Sequence, residues 1–504
     1  MKHLIYILFI AVFSVSGQNY HYAITPPENI KPIELIFPAS NQIDWSVAGV
    51  DGGIPNYNKI IDVTTLGARK DGKGDNHAII QSALDKAQPG TIFYFPEGEY
   101  MFRNTLFLKN KIVIRGECSD KTTLKFDLNR AAKPSLWFLS KNISSITPVI
   151  SGFEKGSKVI TVNEPSKFEV GDYAEIIQDN DPKKMYTNPT WNTVWAENSV
   201  GQMVKITAVN GNKISLARQL YHNFSPSLNV RVRNAKMITG AGLENLKIQR
   251  IDDGDDYNIK FKYAANCWIR NVEGDFADRG HVDITTSANI EVRDSYFHHA
   301  HNYGEGGHGY GINLAGHPTD CLIENNIFQK LRHVFLAKQG AIGNVFAYNY
   351  SVPSQEETND ITLHGHYGLM NLLEGNVVEK IFTGDYWGPS GPGNTYFRNR
   401  VERDIQIQDH SHFQNIIGNE LVKGRIKIAN DTKNTWQHNN INTQGFIEQN
   451  TNFTIFSSLY LSHKPEFFKS LQWPAIGPEF KVGQNSIPAK ARWDTGKALV
   501  PCLN

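Results

Sequence analysis

Apolar and small polar residues recur in a fixed order along the second half of the chain. Seven segments place an apolar residue three positions before a small polar one, and the polar positions are Asn271, Ser295, Asn326, Asn349, Asn376, Asn399 and Asn419. Successive members lie 20 to 31 residues apart, which is the period of a coiled β-solenoid with loops of variable length. We predict that these polar side chains stack at a turn inside the solenoid and satisfy buried backbone groups.

A second kind of segment precedes several of these turns and alternates apolar and polar residues: "NIKFKY", "HVDITTS", "YGINLAG" and "HVFLAKQ". Such alternation predicts strands with one face inward and one outward. Successive coils rise by about 4.8 Å, so outward residues of neighbouring coils can act on one ligand. The alignment predicts an outward group that comprises His281, Asp283, Asn313, His333, Phe335, Asp360, Thr362 and His364.

The pattern changes in the first half of the chain. Residues 131–234 contain short alternating strands and an "NGN" hairpin, which predict an inserted antiparallel β subdomain. We therefore divide the chain into a signal peptide (1–17), an N-terminal extended segment (18–60), the start of the solenoid (61–130), the insertion (131–234), the main coils (235–460) and an irregular tail (461–504).

The N-terminus has the pattern of a secretory signal. Lys2 and His3 precede an apolar run, residues 4–15, and small residues follow at positions 16 and 17. The run is too short to cross a bilayer, and no second apolar span follows. We predict a secreted or periplasmic protein without a membrane span.

Charge and cysteine content narrow the possible functions. The 504 residues carry 51 basic and 50 acidic side chains, a balance that gives no support to nucleic-acid binding. Four cysteines are too few for a disulfide-built scaffold. Cys267 and Cys321 hold equivalent turn positions two coils apart, about 10 Å, which is beyond the reach of a disulfide. We predict that both are free and buried, and that the protein is a monomer.

Residues 63–100, "VTTLGARKDGKGDNHAIIQSALDKAQPGTIFYFPEGEY", resemble the opening of the pectate-lyase superfamily of right-handed parallel β-helix proteins. The shared features are a Gly-Ala turn, a "DGKGD" loop, an amphipathic helix and a "FPEGEY" strand-turn. The helix has an apolar stripe that can close the open end of a solenoid, formed by Ala78, Ile79, Ala83, Leu84 and Ala87. The expected fold is all-β: a right-handed parallel β-helix with an N-terminal capping helix and an inserted antiparallel β subdomain. The resemblance implies secreted or periplasmic enzymes that act on acidic or otherwise substituted polysaccharides.

The stretch "HHAHNYGEGGHGYG", residues 298–311, is the longest connection between coils. Residues 351–360 and 383–393 form two further long connections, and we predict that all three leave their coils at the same relative point and form the walls of a groove. Nine of the 17 histidines fall between residues 281 and 366. Long polar loops clustered on one edge are typical of ligand sites.

The residue types near this stretch suit cleavage of a uronate polymer by β-elimination, which needs a base, an acid and a cation for the carboxylate. We predict that His333 and Tyr310 form the acid/base pair at the foot of the wall. Arg332 would hold the anionic group of the substrate, and His308 would approach from above.

Two alternatives remain open at this point. A glycoside hydrolase of the polygalacturonase kind needs two carboxyl groups at a fixed separation, and Asp283, Asp385, Glu305 and Glu374 are candidates. A non-catalytic carbohydrate-binding β-helix or adhesin would use the same solenoid without this chemistry.

Further side chains are predicted to bind substrate, because aromatic faces stack on sugar rings and polar groups orient them. They are Trp191, Trp195, His281, Glu305, Lys338, His364, His366 and Trp387. The alternative for the tryptophans is packing of the insertion onto the solenoid.

No residue is assigned as a metal ligand. His298, His299 and His301 match no zinc spacing, and the acidic "DDGDD" stretch at 252–256 lacks a complete calcium pattern. We expect that no cofactor is required, although calcium is possible in this superfamily.

Overall fold

A computed structural model describes residues 38–185, 194–304, 306–353, 359–385, 387–448 and 455–502. The predicted fold class is confirmed: most of the chain is a parallel β-solenoid. Its first coils comprise β1 (Lys59–Asp62), β2 (Asp71–Asp75), α1 (His77–Lys86), β3 (Thr91–Phe95), β4 (Gly98–Phe102), β5 (Leu106–Leu108), β6 (Ile112–Gly116), β7 (Thr122–Phe126) and β8 (Leu136–Leu139).

An antiparallel barrel interrupts the solenoid after β8. It closes in the order β10, β13, β12, β11, β14, β9. Its elements are β9 (Thr147–Ser151), β10 (Val159–Val162), β11 (Tyr173–Gln178), α2 (Pro182–Met185), β12 (Val200–Asn210), β13 (Lys213–Leu216) and β14 (Arg231–Ala235).

The solenoid then resumes and continues to residue 446. Its strands are β15 (Ile238–Thr239), β16 (Gly242–Arg250), β17 (Tyr257–Lys262), β18 (Ala264–Ala265), β19 (Trp268–Ala277), β20 (Gly280–Thr285), β21 (Glu291–Arg293), β22 (Tyr296–Ala300), β23 (Tyr310–Ala315), β24 (Leu322–Glu324), β25 (Ile327–Gln329), β26 (His333–Ala337), β27 (Val345–Ala347), β28 (Tyr350–Ser351), β29 (Ile361–Leu363), β30 (Leu372–Glu374), β31 (Val377–Val378), β32 (Ile381–Thr383), β33 (Thr395–Phe397), β34 (Arg400–Val401), β35 (Ile405–Ile407), β36 (Asn415–Ile417), β37 (Glu420–Leu421), β38 (Ile426–Ile428), β39 (Trp436–His438), β40 (Ile441–Asn442) and β41 (Gly445–Phe446).

Each coil contributes to three faces. Face one runs through β21, β24, β27, β30, β33 and β36, and face two runs through β22, β25, β28, β31, β34 and β37. Face three is a separate ten-stranded parallel sheet in the order β38, β35, β32, β29, β26, β23, β20, β17, β8, β5. The chain therefore passes from face one to face two, then to face three, in every coil.

Buried apolar side chains fill the interior between the faces. Val282, Ile312 and Phe335 lie in one inward column of face three, and all three are at most 1% exposed. Phe335 stacks on Phe346 at 4.3 Å between ring centroids. Its predicted outward position is therefore wrong by one residue, and Leu336 takes that place in the column with Asn313.

The polar ladder is confirmed at the turn between faces one and two. The backbone N–H of Asn326 donates to Oδ1 of Asn349 at 2.9 Å, and that of Asn349 donates to Oδ1 of Asn376 at 3.0 Å. The same bonds continue through later coils. A second ladder, which the sequence pattern did not reveal, runs through Asn344, Asn371 and Asn394 at the turn between faces three and one.

Helix α1 packs against the first coils with a different stripe from the predicted one. Ile80 and Leu84, one turn apart, are buried in the solenoid core. Ile79 is 38% exposed. The buried face is therefore rotated by one residue relative to the prediction.

The tail returns along the solenoid and ends beside its first coils. It contains α3 (Pro488–Asp494), and the hydroxyl of Tyr460 donates to Glu324 at 2.7 Å. Cys118 and Cys502 form a disulfide that the cysteine count did not reveal. Cys267 and Cys321 are free and buried, as predicted. Within the described residues, no helix combines the length and the apolar character that a bilayer crossing needs.

Candidate active site

Loops border face three on both of its edges. Residues 301–304 and 306–309 precede β23, and residues 352, 353, 359 and 360 precede β29, where the chain enters this face. Residues 384, 385 and 387–394 follow β32, where the chain leaves it. The prediction that all three long connections leave at the same point is therefore wrong. The barrel also follows a strand of face three, β8. We call face three the floor of a candidate groove, the segments that precede β23 and β29 its first wall, and the segment that follows β32 its second wall.

The barrel reaches the second wall through Trp195. Its ring lies 5.3 Å from that of Trp387 and 5.4 Å from that of His366, measured between centroids. Trp195 remains 39% exposed. The contact between the barrel and the second wall therefore leaves part of the Trp195 ring available to a ligand.

Tyr310 and His333 lie side by side on the floor. They begin β23 and β26 and are paired in register, and their ring centroids are 5.2 Å apart. Nδ1 of His333 lies 2.6 Å from the carbonyl oxygen of Asn359. A carbonyl only accepts, so Nδ1 carries the proton and Nε2 is the basic nitrogen. Burial lowers the pKa of His333 to about 4, which keeps the ring neutral at pH 7.

Lys338 carries a positive charge within electrostatic range of His333. Its ammonium lies 5.9 Å from the centroid of the Trp195 ring. Burial lowers the pKa of Lys338, while the carboxylates of Asp283 and Asp385 act in the opposite direction. Arg332 instead donates to the carbonyl oxygen of Gly304 at 2.7 Å, so it is held to the wall.

Two carboxyl groups, Asp283 on the floor and Asp385 in the second wall, have contrasting surroundings. Asp283 accepts a hydrogen bond from Asn313 at 2.7 Å and lies 3.7 Å from the ammonium of Lys260. Asp385 lies 3.0 Å from Nε2 of His364, and burial raises the pKa of Asp385 to about 7. A raised pKa allows Asp385 to carry a proton at neutral pH.

His364 completes the second pair. Its Nδ1 lies 2.6 Å from the carbonyl oxygen of Gly365, which fixes Nε2 as the nitrogen that faces Asp385. Burial lowers the pKa of His364 to about 3. The imidazole is therefore neutral, and a protonated Asp385 can donate to it.

His308 lies at the end of the first wall. Its Nδ1 is 2.6 Å from a carboxylate oxygen of Asp278. Asp255 nearby is bound by Arg279 at 2.6 Å. These contacts anchor the connection where it enters β23.

The acidic stretch at 252–256 is paired with cations. Asp253 contacts Arg130 at 2.8 Å, and Asp256 contacts Lys260 at 3.1 Å. Asp252 pairs with Arg250. The carboxylates therefore serve ion pairs, of which the one between Asp253 and Arg130 joins neighbouring coils.

Three of the matches with known proteins describe what the chain is similar to. The family model described as rhamnogalacturonase A/epimerase, pectate lyase-like, matches residues 60–161. A capsule K1-specific depolymerase of Klebsiella phage K64-1 is 22% identical over 198 residues, which cover 37% of this chain and 21% of the depolymerase. A tailspike protein, gp49 from Pseudomonas phage LKA1, superposes with a TM-score of 0.50 at 12% identity over 74% of this chain and 77% of its own.

The chain is a parallel β-helix protein whose residues 60–161 are similar to a pectate-lyase-like family. At 12% identity, the similarity to the tailspike supports only the fold of this β-helix protein. The chain spans about a fifth of the length of the depolymerase.

Several predicted residues of the β-helix protein lie away from the groove. His281 is fully buried and its Nε2 lies 3.1 Å from the carbonyl oxygen of His299. Gly274, whose hypothetical Cβ would come within 2.6 Å of the His281 ring, makes room for that ring. Glu374 lies on face one and accepts a hydrogen bond from the hydroxyl of Tyr348. His281 and Glu374 are therefore structural.

Two predicted residues, Trp191 and Glu305, lie outside the described residues. Conversely, the sequence pattern left out Lys260 and Tyr257 of the β-helix protein, whose side chains border Asp283 and Tyr310. Their alternation in "YNIKFK" was the available signal.

Proposed function

We propose that this protein is a secreted or periplasmic enzyme that cleaves an acidic polysaccharide by β-elimination. The observation that carries the proposal is the in-register pair of Tyr310 and His333, whose imidazole is within electrostatic range of the Lys338 ammonium. A neutral imidazole, a phenol and a buried cation are the three groups that uronate elimination requires.

In the proposed reaction, Lys338 binds the uronate carboxylate and stabilises the charge that develops there. Nε2 of His333 removes the C5 proton. The Tyr310 hydroxyl donates its proton to the glycosidic oxygen as the C4–O bond breaks and the C4–C5 double bond forms. Proton transfer from the His333 imidazolium to the Tyr310 phenolate, through water, restores both groups.

The class of substrate is inferred from the groove and its similarity to known proteins. One matched relative is named as a capsule depolymerase, and the matched family model includes a rhamnogalacturonase. Trp195 and Trp387 border the floor with aromatic rings, which suits stacking on sugars. We propose a monomer that needs no cofactor, and chelator treatment during assay tests a role for calcium.

A hydrolase is the second candidate, because Asp283 and Asp385 lie in the same groove. Asp385, with its pKa raised to about 7, would act as the general acid. Asp283, held by Asn313 and Lys260, would act as the base or nucleophile.

One experiment separates the candidates. The purified protein is incubated with acidic and sulfated polysaccharides, and the ultraviolet absorbance of the unsaturated uronate product is followed together with reducing ends. The lyase produces both signals in equal amounts. Reducing ends without absorbance would replace it with the hydrolase, and binding without either signal would favour the non-catalytic alternative.

A further inference from the structure

We propose that Asp275, His298 and His299 form a binding site for a transition-metal ion of the Zn²⁺ type. The site lies on face two, at the beginning of the 298–311 stretch, and is separate from the groove on face three. One ligand atom from each of the three residues lies within 4.8 Å of the other two.

The strand geometry explains why the three side chains meet. Asp275 of β19 and His298 of β22 are directly paired in register, so their side chains point to the same side. Consecutive residues of a strand normally point to opposite sides. His299 breaks this alternation because its φ is +56°, a conformation that is uncommon outside glycine. Its ring therefore turns toward that of His298.

The hydrogen bonds leave His298 poised to bind a cation. Its Nε2 lies 3.2 Å from a carboxylate oxygen of Glu273, so Nδ1 is the nitrogen that faces the other two side chains. That Nδ1 lies 2.7 Å from Nδ1 of His299 and 3.4 Å from Oδ1 of Asp275. A cation placed between the three side chains would contact both Nδ1 atoms and this carboxylate oxygen.

Outer groups orient the ligands as in known metal sites, where a carboxylate commonly receives the second N–H of a ligating histidine. Glu273 has this position toward His298. Gln249 donates to the other oxygen of Asp275 at 2.9 Å. His299 is partly exposed, which gives an ion access from solvent.

The donor set selects the class of ion. Two imidazole nitrogens and one carboxylate oxygen suit Zn²⁺ and its neighbours in the transition series better than calcium. Zn²⁺ takes such donors at about 2.0 to 2.2 Å, which places two donors about 3.3 Å apart in a tetrahedral site. The distance between His298 and Asp275 fits this value, and the two histidine rings need to separate by about 0.6 Å.

A second group, Asp255, Asp278 and His308, meets the same distance criterion. However, the guanidinium of Arg279 already binds Asp255 at 2.6 Å, and its positive charge opposes a metal ion there. This group serves as an internal comparison.

The test is titration of chelator-treated, dialysed protein with ZnCl₂ by isothermal titration calorimetry. We expect one saturable equivalent in the wild type. His299→Gln and Asp275→Asn should weaken the affinity by more than about 100-fold, and Glu273→Gln, which changes an outer group, by about 10- to 100-fold. His301→Gln and His308→Gln are matched controls that should bind as the wild type does.

Folding of every variant is checked by circular dichroism, and His299→Gln is the decisive variant because its side chain is partly exposed. Absence of a saturable equivalent in the wild type would overturn the proposal. So would unchanged binding by His299→Gln and Asp275→Asn, since the histidine contact would then be a plain hydrogen bond. Loss of binding in His308→Gln alone would move the site to the first wall. The readout is metal binding, so the result does not depend on the proposed lyase activity.

Discussion

The low pKa of His333 gives the lyase a distinctive dependence on pH. Burial lowers this pKa to about 4, whereas an unperturbed histidine titrates near about 6.5. A base must be neutral to accept the C5 proton. At pH 5 a group with a pKa of 4 is about 90% neutral, and one with a pKa of 6.5 is only about 3% neutral. We therefore expect kcat/KM at pH 5 to remain close to its value at pH 7.

The assay measures kcat/KM from pH 4 to 9 by formation of the unsaturated product. His333→Ala should reduce kcat/KM by about 10²- to 10⁴-fold, the usual contribution of a general base. Free imidazole should restore part of the activity of this variant, and the restored activity should fall at pH 5, because the pKa of free imidazole is not lowered by burial. His301→Ala, a change in the same wall away from the floor, is the control.

Three results would refute this reasoning. Near-normal kcat/KM in His333→Ala would remove the proposed base. A loss of activity between pH 7 and 5 in the wild type would contradict the lowered pKa. Activity that declines above pH 7, to about a tenth per pH unit, would instead report a catalytic acid with a pKa near 7, as expected of Asp385 in the hydrolase.

Three further predictions concern binding and stability. Trp195→Ala should raise KM several-fold with little change in kcat, whereas Val194→Ala, at a neighbouring position that is 83% exposed, should change neither constant. A lower melting temperature of Trp195→Ala with an unchanged KM would show that the Trp195 ring only packs. Burial raises the pKa of Asp320 to about 8, so its contribution to stability is full below about pH 4 and is lost as the pH rises to about 8. Asp320→Asn should therefore be more stable than the wild type at pH 8, by up to about 5 kcal/mol, with a much smaller difference at pH 4. Equal melting temperatures of the two proteins at pH 8 would contradict the raised pKa. Replacing Cys118 and Cys502 by serine should lower the free energy of unfolding by about 2 to 5 kcal/mol in urea titrations, and an unchanged midpoint would show that the bond adds no stability.

The sequence predicted the repeating parts of the molecule well. Asn349 and its equivalents recur at the coil period, so one alignment identified both the ladder and the pairing of Tyr310 with His333. The error at Phe335, inside β26, arose because a shift of one residue exchanges the two faces of a strand.

Contacts between distant segments could not be predicted in this way. Trp195 meets Trp387 across 192 residues of chain, and no periodicity relates the barrel to that loop. The sequence analysis also did not identify Asp275, which contacts His298 from the preceding coil. Only the strand register, combined with the left-handed backbone of His299, brings those ligands together.

The returning tail has a consequence for how the solenoid opens. In a linear array each coil contacts only its neighbours, so the last coils can fray while the rest stay folded. Here the chain after the last coil crosses back over earlier ones, through Arg398 with Glu479 and through Arg492 with Asn325, before Cys502 bonds to Cys118. Terminal opening must therefore disturb coils throughout the array. Hydrogen exchange in the outermost coils should approach the rate set by global unfolding, and selective reduction of the disulfide should release the ends to exchange on their own.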